Sequence, residues 1–287
     1  MADICRKISE KPAKSFYEAV QLTWMLHIIA NIQGGSALSF GRLDQYLYPY
    51  FKKDTEEGRI TYSEAKELVG CLWLKVNEPK MRTVQSVTLG GITPDGKDAA
   101  NELTRICLQT AKDAGMPYPN VGLRVNRLNP DWIYEEALET IKAGCGQPML
   151  LNDEIWITNM KKLGYPEDQA NDYYNMGCVE IMIPGKQPNW GVTEAIAFPV
   201  LIEEVMRKWG AGEIKIRSFD EFMDAYLQEM DIAIEADRQE ALQKKANMTE
   251  RCYDPFSSVL IDGCLEHGKD MLQGGSECPV HWSVYAD

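Results

Sequence analysis

Residues 173–185 read YYNMGCVEIMIPG, and the placement of this stretch decides how the rest of the chain is read. Residues 177–183 have the apolar and β-branched character of a strand, opened by Gly177 and stopped by Pro184 and Gly185. On an extended strand Cys178 and Glu180 share one face, about 6–7 Å apart, so a thiol and a carboxylate can reach one small molecule together. Three upstream runs, 83–89, 120–126 and 148–151, have the same strand character.

Helical patterns separate these runs. Residues 16–32 form an apolar helix pattern, and Thr61 with Glu64 makes a capping box ahead of a helix over 65–76. Residues 97–114 read as a helix stopped by Gly115, and 131–143 as another stopped by Gly144. A long charged helix over 219–246 is expected on the outside. Strand and helix alternate at crossover-sized intervals, which argues for a layered or barrel α/β fold in one continuous body, with ligands at loops that follow strand ends.

The chain has 287 residues, 45% of them apolar and 25% charged, enough to bury a core. Thirty basic residues against 43 acidic ones give a net charge of −13, a field that repels phosphate backbones and anionic lipid. Nucleic acid and membrane surfaces are therefore excluded as expected partners. The eight cysteines are spread from Cys5 to Cys278 without a dense framework, which fits reduced thiols in a cytoplasmic protein. The first sixteen residues have no apolar core of an export signal, and the longest apolar stretch, 22–32, is too short to span a bilayer.

On residue type alone a buried structural thiol is the commoner reading of Cys178, beside a surface Glu180. Cys264, His267, Cys278 and His281 could offer zinc two thiolates and two imidazoles, although packing is the stronger reading and no metal is expected. Cys5, Cys71, Cys107, Cys145 and Cys252 read as packing or surface thiols. No histidine stands in a Ser-His-Asp motif, and no phosphate-binding glycine loop occurs.

The segment GCVE at 177–180 follows GCGQPMLLND at 144–153 and EDQANDY at 167–173. Together they closely resemble the catalytic-cysteine region of glycyl radical enzymes, the pyruvate formate-lyase superfamily. Further segments agree in order: PAKSFYEAVQ at 12–21, SFGRLDQYLYP at 39–49, VTLGG at 87–91 and GCLEHGKD at 263–270. The resemblance runs nearly end to end. It implies a ten-stranded α/β barrel, helices outside and the cysteine loop in the centre, of which residues 1–287 would form a partial barrel domain.

It also implies roles. Cys178 would become a thiyl radical that abstracts a substrate hydrogen atom, and Glu180 would be the general base of the eliminase branch. That branch includes glycerol, propanediol and hydroxyproline dehydratases and choline and isethionate lyases; arylacetate decarboxylases share the glutamate. Val179 and Glu180 argue against formate acetyltransferase chemistry, which uses adjacent cysteines. Val84 and Gln85 match a substrate-facing strand position, and Ser36 stands where diol dehydratases of the family often place a polar contact. Trp190 and Thr193 would line the cavity, and Asn152 and Asp153 would cap a strand-to-helix turn. No cofactor is bound directly; the glycyl radical is installed by a radical S-adenosylmethionine activase, an expected partner beside a small-molecule substrate and, at full length, a second copy. No Arg-Val-x-Gly-Tyr type segment occurs in 181–287, so the chain reads as a middle portion without its radical domain, or as a non-catalytic truncated remnant.

Overall fold

The computed structural model describes residues 2–33, 37–78, 84–178, 180–192, 196–278 and 281–283. The single body expected from sequence divides into two compact units, Met1–Pro184 and Gly185–Asp287. The first unit opens with α1 (Ala2–Glu10), α2 (Phe16–Gln33), β1 (Leu38–Ser39), α3 (Leu43–Tyr46), α4 (Tyr48–Glu56) and α5 (Tyr62–Val76). It continues with β2 (Gln85–Gly90), α6 (Glu102–Ala114), β3 (Asn120–Val125), α7 (Asp131–Lys142), β4 (Met149–Asn152), α8 (Asp153–Lys162) and α9 (Glu167–Asn171). A hairpin of β5 (Tyr174–Met176) and β6 (Glu180–Met182) closes it.

Strands β1 to β4 form one parallel sheet in chain order. Side chains alternate across a strand, so each strand presents two different faces. Val87, Leu89, Val121 and Leu123 point to one side and are buried with Leu103, Ile106 and Leu108 of α6, Val69, Leu72 and Trp73 of α5, and Ile133 of α7. Each such side chain contributes about 1.5–3 kcal/mol on burial. Ser39, Ser86, Thr88, Asn120 and Gly122 belong to the opposite face, which is polar and small, and the β5–β6 hairpin lies against it.

Local signals set the helix ends. The Thr61 side chain accepts from the Glu64 amide at 3.2 Å while Glu64 accepts from the Thr61 amide at 2.8 Å, completing the expected capping box. The helix expected from residue 97 begins five residues later. The Lys97 amide donates to Thr93 in a turn, and the first helical amides, of Leu103 and Thr104, are capped by the Asn101 side chain. Gly115 ends that helix in the left-handed conformation, φ +58°.

The second unit contains β7 (Asn189–Val192), α10 (Phe198–Gly210), α11 (Phe219–Arg251), α12 (Pro255–Ser258), α13 (Cys264–His267), a 3-10 turn (Met271–Gln273) and β8 (His281–Ser283). Strands β7 and β8 pair in parallel, and α10 packs on α11. Cys264, Met271 and Leu272 form a small core beneath which Asp270 accepts from the Asp254 amide, the Ser258 hydroxyl and the Leu272 amide.

Candidate active site

The hairpin runs across the small polar face of the sheet, from the C-terminal ends of the strands to their N-terminal ends. Its root, residues 171–173, is held beside Gly90 and Arg124, and its tip lies beside Ala37, Val84 and Asn120. Midway, Asn175 is fully buried. Its carbonyl accepts from the hydroxyls of Ser39 and Ser86, both at 3.0 Å; its amide donates to Thr88 Oγ at 3.0 Å, and its Oδ1 accepts from that hydroxyl at 2.7 Å. Gly122 makes this fit: a Cβ there would stand 2.1 Å from Asn175 Oδ1.

The tip corrects the reading of 177–183 as one strand. Gly177 adopts φ +61° and, with Cys178, makes the turn between β5 and β6; Glu180 is the first residue of β6. A Cβ on Gly177 would meet Ala37 Cβ at 2.9 Å and Val84 Cγ1 at 3.3 Å, so this position needs glycine for both its backbone and its surroundings. The turn brings Glu180 back onto its neighbour: the Cys178 amide donates to Glu180 Oε2 at 3.0 Å. Glu180 is buried, while Cys178 is exposed at the turn. Desolvation, and then the negative charge of Glu180, push the Cys178 thiol above its ordinary range, so at neutral pH it keeps its proton.

Sequence-expected contacts fall in different places. Val84 lies against the tip. Gln85 does not: it points to the helix side, where its Oε1 meets His27 Nε2 and its Nε2 donates to the Val76 carbonyl at 3.3 Å. Adjacent strand residues face opposite ways, so only one of the pair can reach the hairpin. Ser36 and Thr193 lie outside the described residues, as does the side chain of Trp190, whose backbone belongs to β7. Asn152 caps α8 as expected, accepting from the amides of Glu154 and Ile155. Asp153 does something else: it is buried against Arg124, with Nε–Oδ1 at 2.7 Å and Nη2–Oδ2 at 3.0 Å, and accepts from the Tyr173 hydroxyl at 2.7 Å.

Arg42, Arg124 and Asn175 were not singled out from sequence. An arginine inside the apolar run NVGLRV, and the Ser-Thr alternation of QSVTLG, are the available signals of a sheet face that packs on something polar. For the alternative zinc set, Cys264 is buried and His267 Nδ1 is hydrogen-bonded to the Gly275 carbonyl at 2.8 Å, while the His281 side chain lies outside the described residues. Among the described residues no three His, Cys, Asp or Glu side chains are grouped as metal ligands, and no helix is long and apolar enough to cross a membrane.

A glycine turn presenting a thiol, with a carboxylate folded against the same turn, can be compared with known proteins. An isethionate sulfite-lyase of Oleidesulfovibrio alaskensis is 32% identical to this chain over 94% of its length, and a (2S)-3-sulfopropanediol dehydratase of Klebsiella oxytoca is 30% identical over 96%. The solved B12-independent glycerol dehydratase of Clostridium butyricum superposes with a TM-score of 0.85 at 31% identity, covering 97% of this chain. The matched region is 36%, 37% and 38% of those three proteins, so the chain spans a little over a third of their length. The α/β architecture thus corresponds to part of a glycyl radical enzyme barrel, and the family model described as Pyruvate formate lyase-like matches residues 1–286: the chain belongs to that family, among whose members it is similar to glycyl radical lyases and dehydratases.

Proposed function

We propose that this chain supplies the thiol and the base of a glycyl radical eliminase, acting on a small hydroxylated substrate with a leaving group on the neighbouring carbon. The observation that carries the reading is the hairpin tip, where a protonated, exposed Cys178 and the carboxylate of Glu180 are joined through one hydrogen bond. A nucleophilic or metal-binding cysteine works as thiolate, whereas hydrogen-atom exchange needs the S–H bond, and desolvation and the charge of Glu180 both push the Cys178 thiol away from the thiolate. The chemistry supplied to this thiol by the rest of such an enzyme is a glycyl radical, placed by an activase, that takes the Cys178 hydrogen atom.

The chain's own residues then act in order. Cys178 sulfur takes hydrogen from the carbinol carbon, re-forming S–H, and Glu180 takes the hydroxyl proton, so that charge builds on oxygen beside the radical carbon. The bond to the leaving group breaks with its electron pair. The resulting carbon radical recovers hydrogen from Cys178, and the proton held by Glu180 leaves with the departing group. Ala37 and Val84 give the tip an apolar border. The named substrates of the relatives, isethionate and sulfopropanediol, fit this pattern, as do small diols.

The test is anaerobic reconstitution in a full-length context with an activase, followed by product analysis on isethionate, sulfopropanediol, small diols and hydroxyproline. Cys178→Ala is expected to abolish turnover, and Glu180→Gln to lower it by about 10²–10⁴-fold with the radical yield unchanged. Turnover that survives Cys178→Ala would refute the proposal.

A further inference from the structure

We infer that Arg42 and Arg124 are positioning residues: together they clamp residues 171–173, the root of the hairpin, and so fix where Cys178 and Glu180 stand over the sheet. This rests on the function proposed above. Arg124, at the end of β3, is fully buried. It binds Asp153 with two nitrogens, donates to the carbonyls of Tyr173 and Asn171, both at 2.9 Å, and lies 3.9 Å over the Tyr173 ring. Arg42, just after β1, is 4% exposed; it pairs with Asp172 and donates to the carbonyls of Gly90 at 3.0 Å and Ile92 at 2.7 Å. Three successive residues at the root are therefore each held by a guanidinium.

The two cations are near neighbours. After burial, the charge of Arg124 is the main influence lowering the pKa of Arg42, opposed by Asp172 and Asp44. The Gly90-Gly91 turn is shared between them: Arg42 takes the Gly90 carbonyl, and Arg124 fills the space where a Gly91 side chain would begin, 2.6 Å from that Cβ position to Nε. Burying two like charges side by side is a poor way to stabilise a fold, since apolar residues of similar volume do as well or better. What a planar five-donor fork offers instead is direction, binding carboxylate and carbonyl oxygens at fixed angles. Here that direction is spent on the strand leading to the thiol, five residues from Tyr173 to Cys178 with Asn175 seated between.

The measurement is site-resolved alkylation of Cys178 against pH on the full chain, read by mass spectrometry of its peptide. Arg124→Lys keeps the charge and loses the fork, and Asp172→Asn, at a half-exposed position, is the milder variant for Arg42. Leu123→Ala, on the helix side of the same strand, destabilises the sheet while removing none of the clamp's hydrogen bonds and is the control. Release of the tip is expected to bring the thiol back toward its ordinary range, making alkylation ~3–10-fold faster near neutral pH in both clamp variants. Leu123→Ala should lower the melting temperature and leave the Cys178 profile where it was. The inference is overturned if the clamp variants leave the profile unchanged, or if Leu123→Ala moves it equally. Neither result depends on turnover. Loss of the catalytic reading would instead show as Cys178→Ala retaining activity in the reconstituted enzyme.

Discussion

Two glycines of the first unit look interchangeable in the sequence and have opposite expected responses to a methyl group. Gly70 lies inside α5, where an added Cβ would meet only Thr110 Cγ2 at 3.9 Å, so Gly70→Ala gains helix propensity and is expected to stabilise by about 0.5–1 kcal/mol. Gly122 sits under Asn175, where an added Cβ would stand only 2.1 Å from Oδ1, and Gly122→Ala is expected to cost about 1–3 kcal/mol, because the hairpin must lift or Asn175 must leave its bonds to Thr88. Denaturant midpoints of the two variants give the comparison, and a gain at both positions would mean that the hairpin is not seated as described. The same scale holds the thiol: Gly177, held at φ +61° between Ala37 and Val84, sets the turn that lets Glu180 meet the Cys178 amide.

Among the elements, α2 carries a titratable group against the sheet. Burial pushes His27 below its ordinary pKa, against the opposing effect of the hydrogen bond that Gln85 Oε1 accepts from Nε2. A base whose pKa is lower in the folded state contributes stability above its unfolded value and loses it as pH falls. The chain should therefore weaken as pH drops below about 6.5, and His27→Gln should flatten that slope of melting temperature against pH. An unchanged slope would place the acid sensitivity elsewhere. Elements with local signals were legible in the sequence: the Thr61 capping box, the Gly115 stop and the strands over 120–125 and 149–152 depend on neighbours in the chain. The helix start falls at Glu102 rather than 97 because the Thr93 turn holds the Lys97 amide and the Asn101 side chain caps the first turn, contacts that a helical pattern does not register. The hairpin was misread as a strand because a period-two pattern holds no record of a positive φ, and the reach of Arg124 to residues 47 and 49 positions away has no local signature. Cys178 and Glu180 were found through a motif; the sheet face that carries them was not.

Taken as a whole, the first unit leaves β1 and β4 as the outer strands of its sheet, and among the described residues neither has a second neighbouring strand. Tyr134, Leu138 and Ile141 make an exposed apolar stripe at helical spacing along α7, with Leu138 61% exposed. Such a stripe invites association, so the chain alone is expected to self-associate in a concentration-dependent way. Leu138→Lys combined with Ile141→Gln should reduce that association by light scattering while leaving the melting transition in place, whereas association undiminished in the double variant would implicate other surfaces. The hairpin also has a place in time. Ser39, whose hydroxyl holds the Asn175 carbonyl, precedes that residue by 136 positions, and all four strands of the sheet are synthesised before β5 leaves the ribosome. The sheet face can thus be assembled before the hairpin arrives, so that Cys178 enters a scaffold whose four strands are already in place.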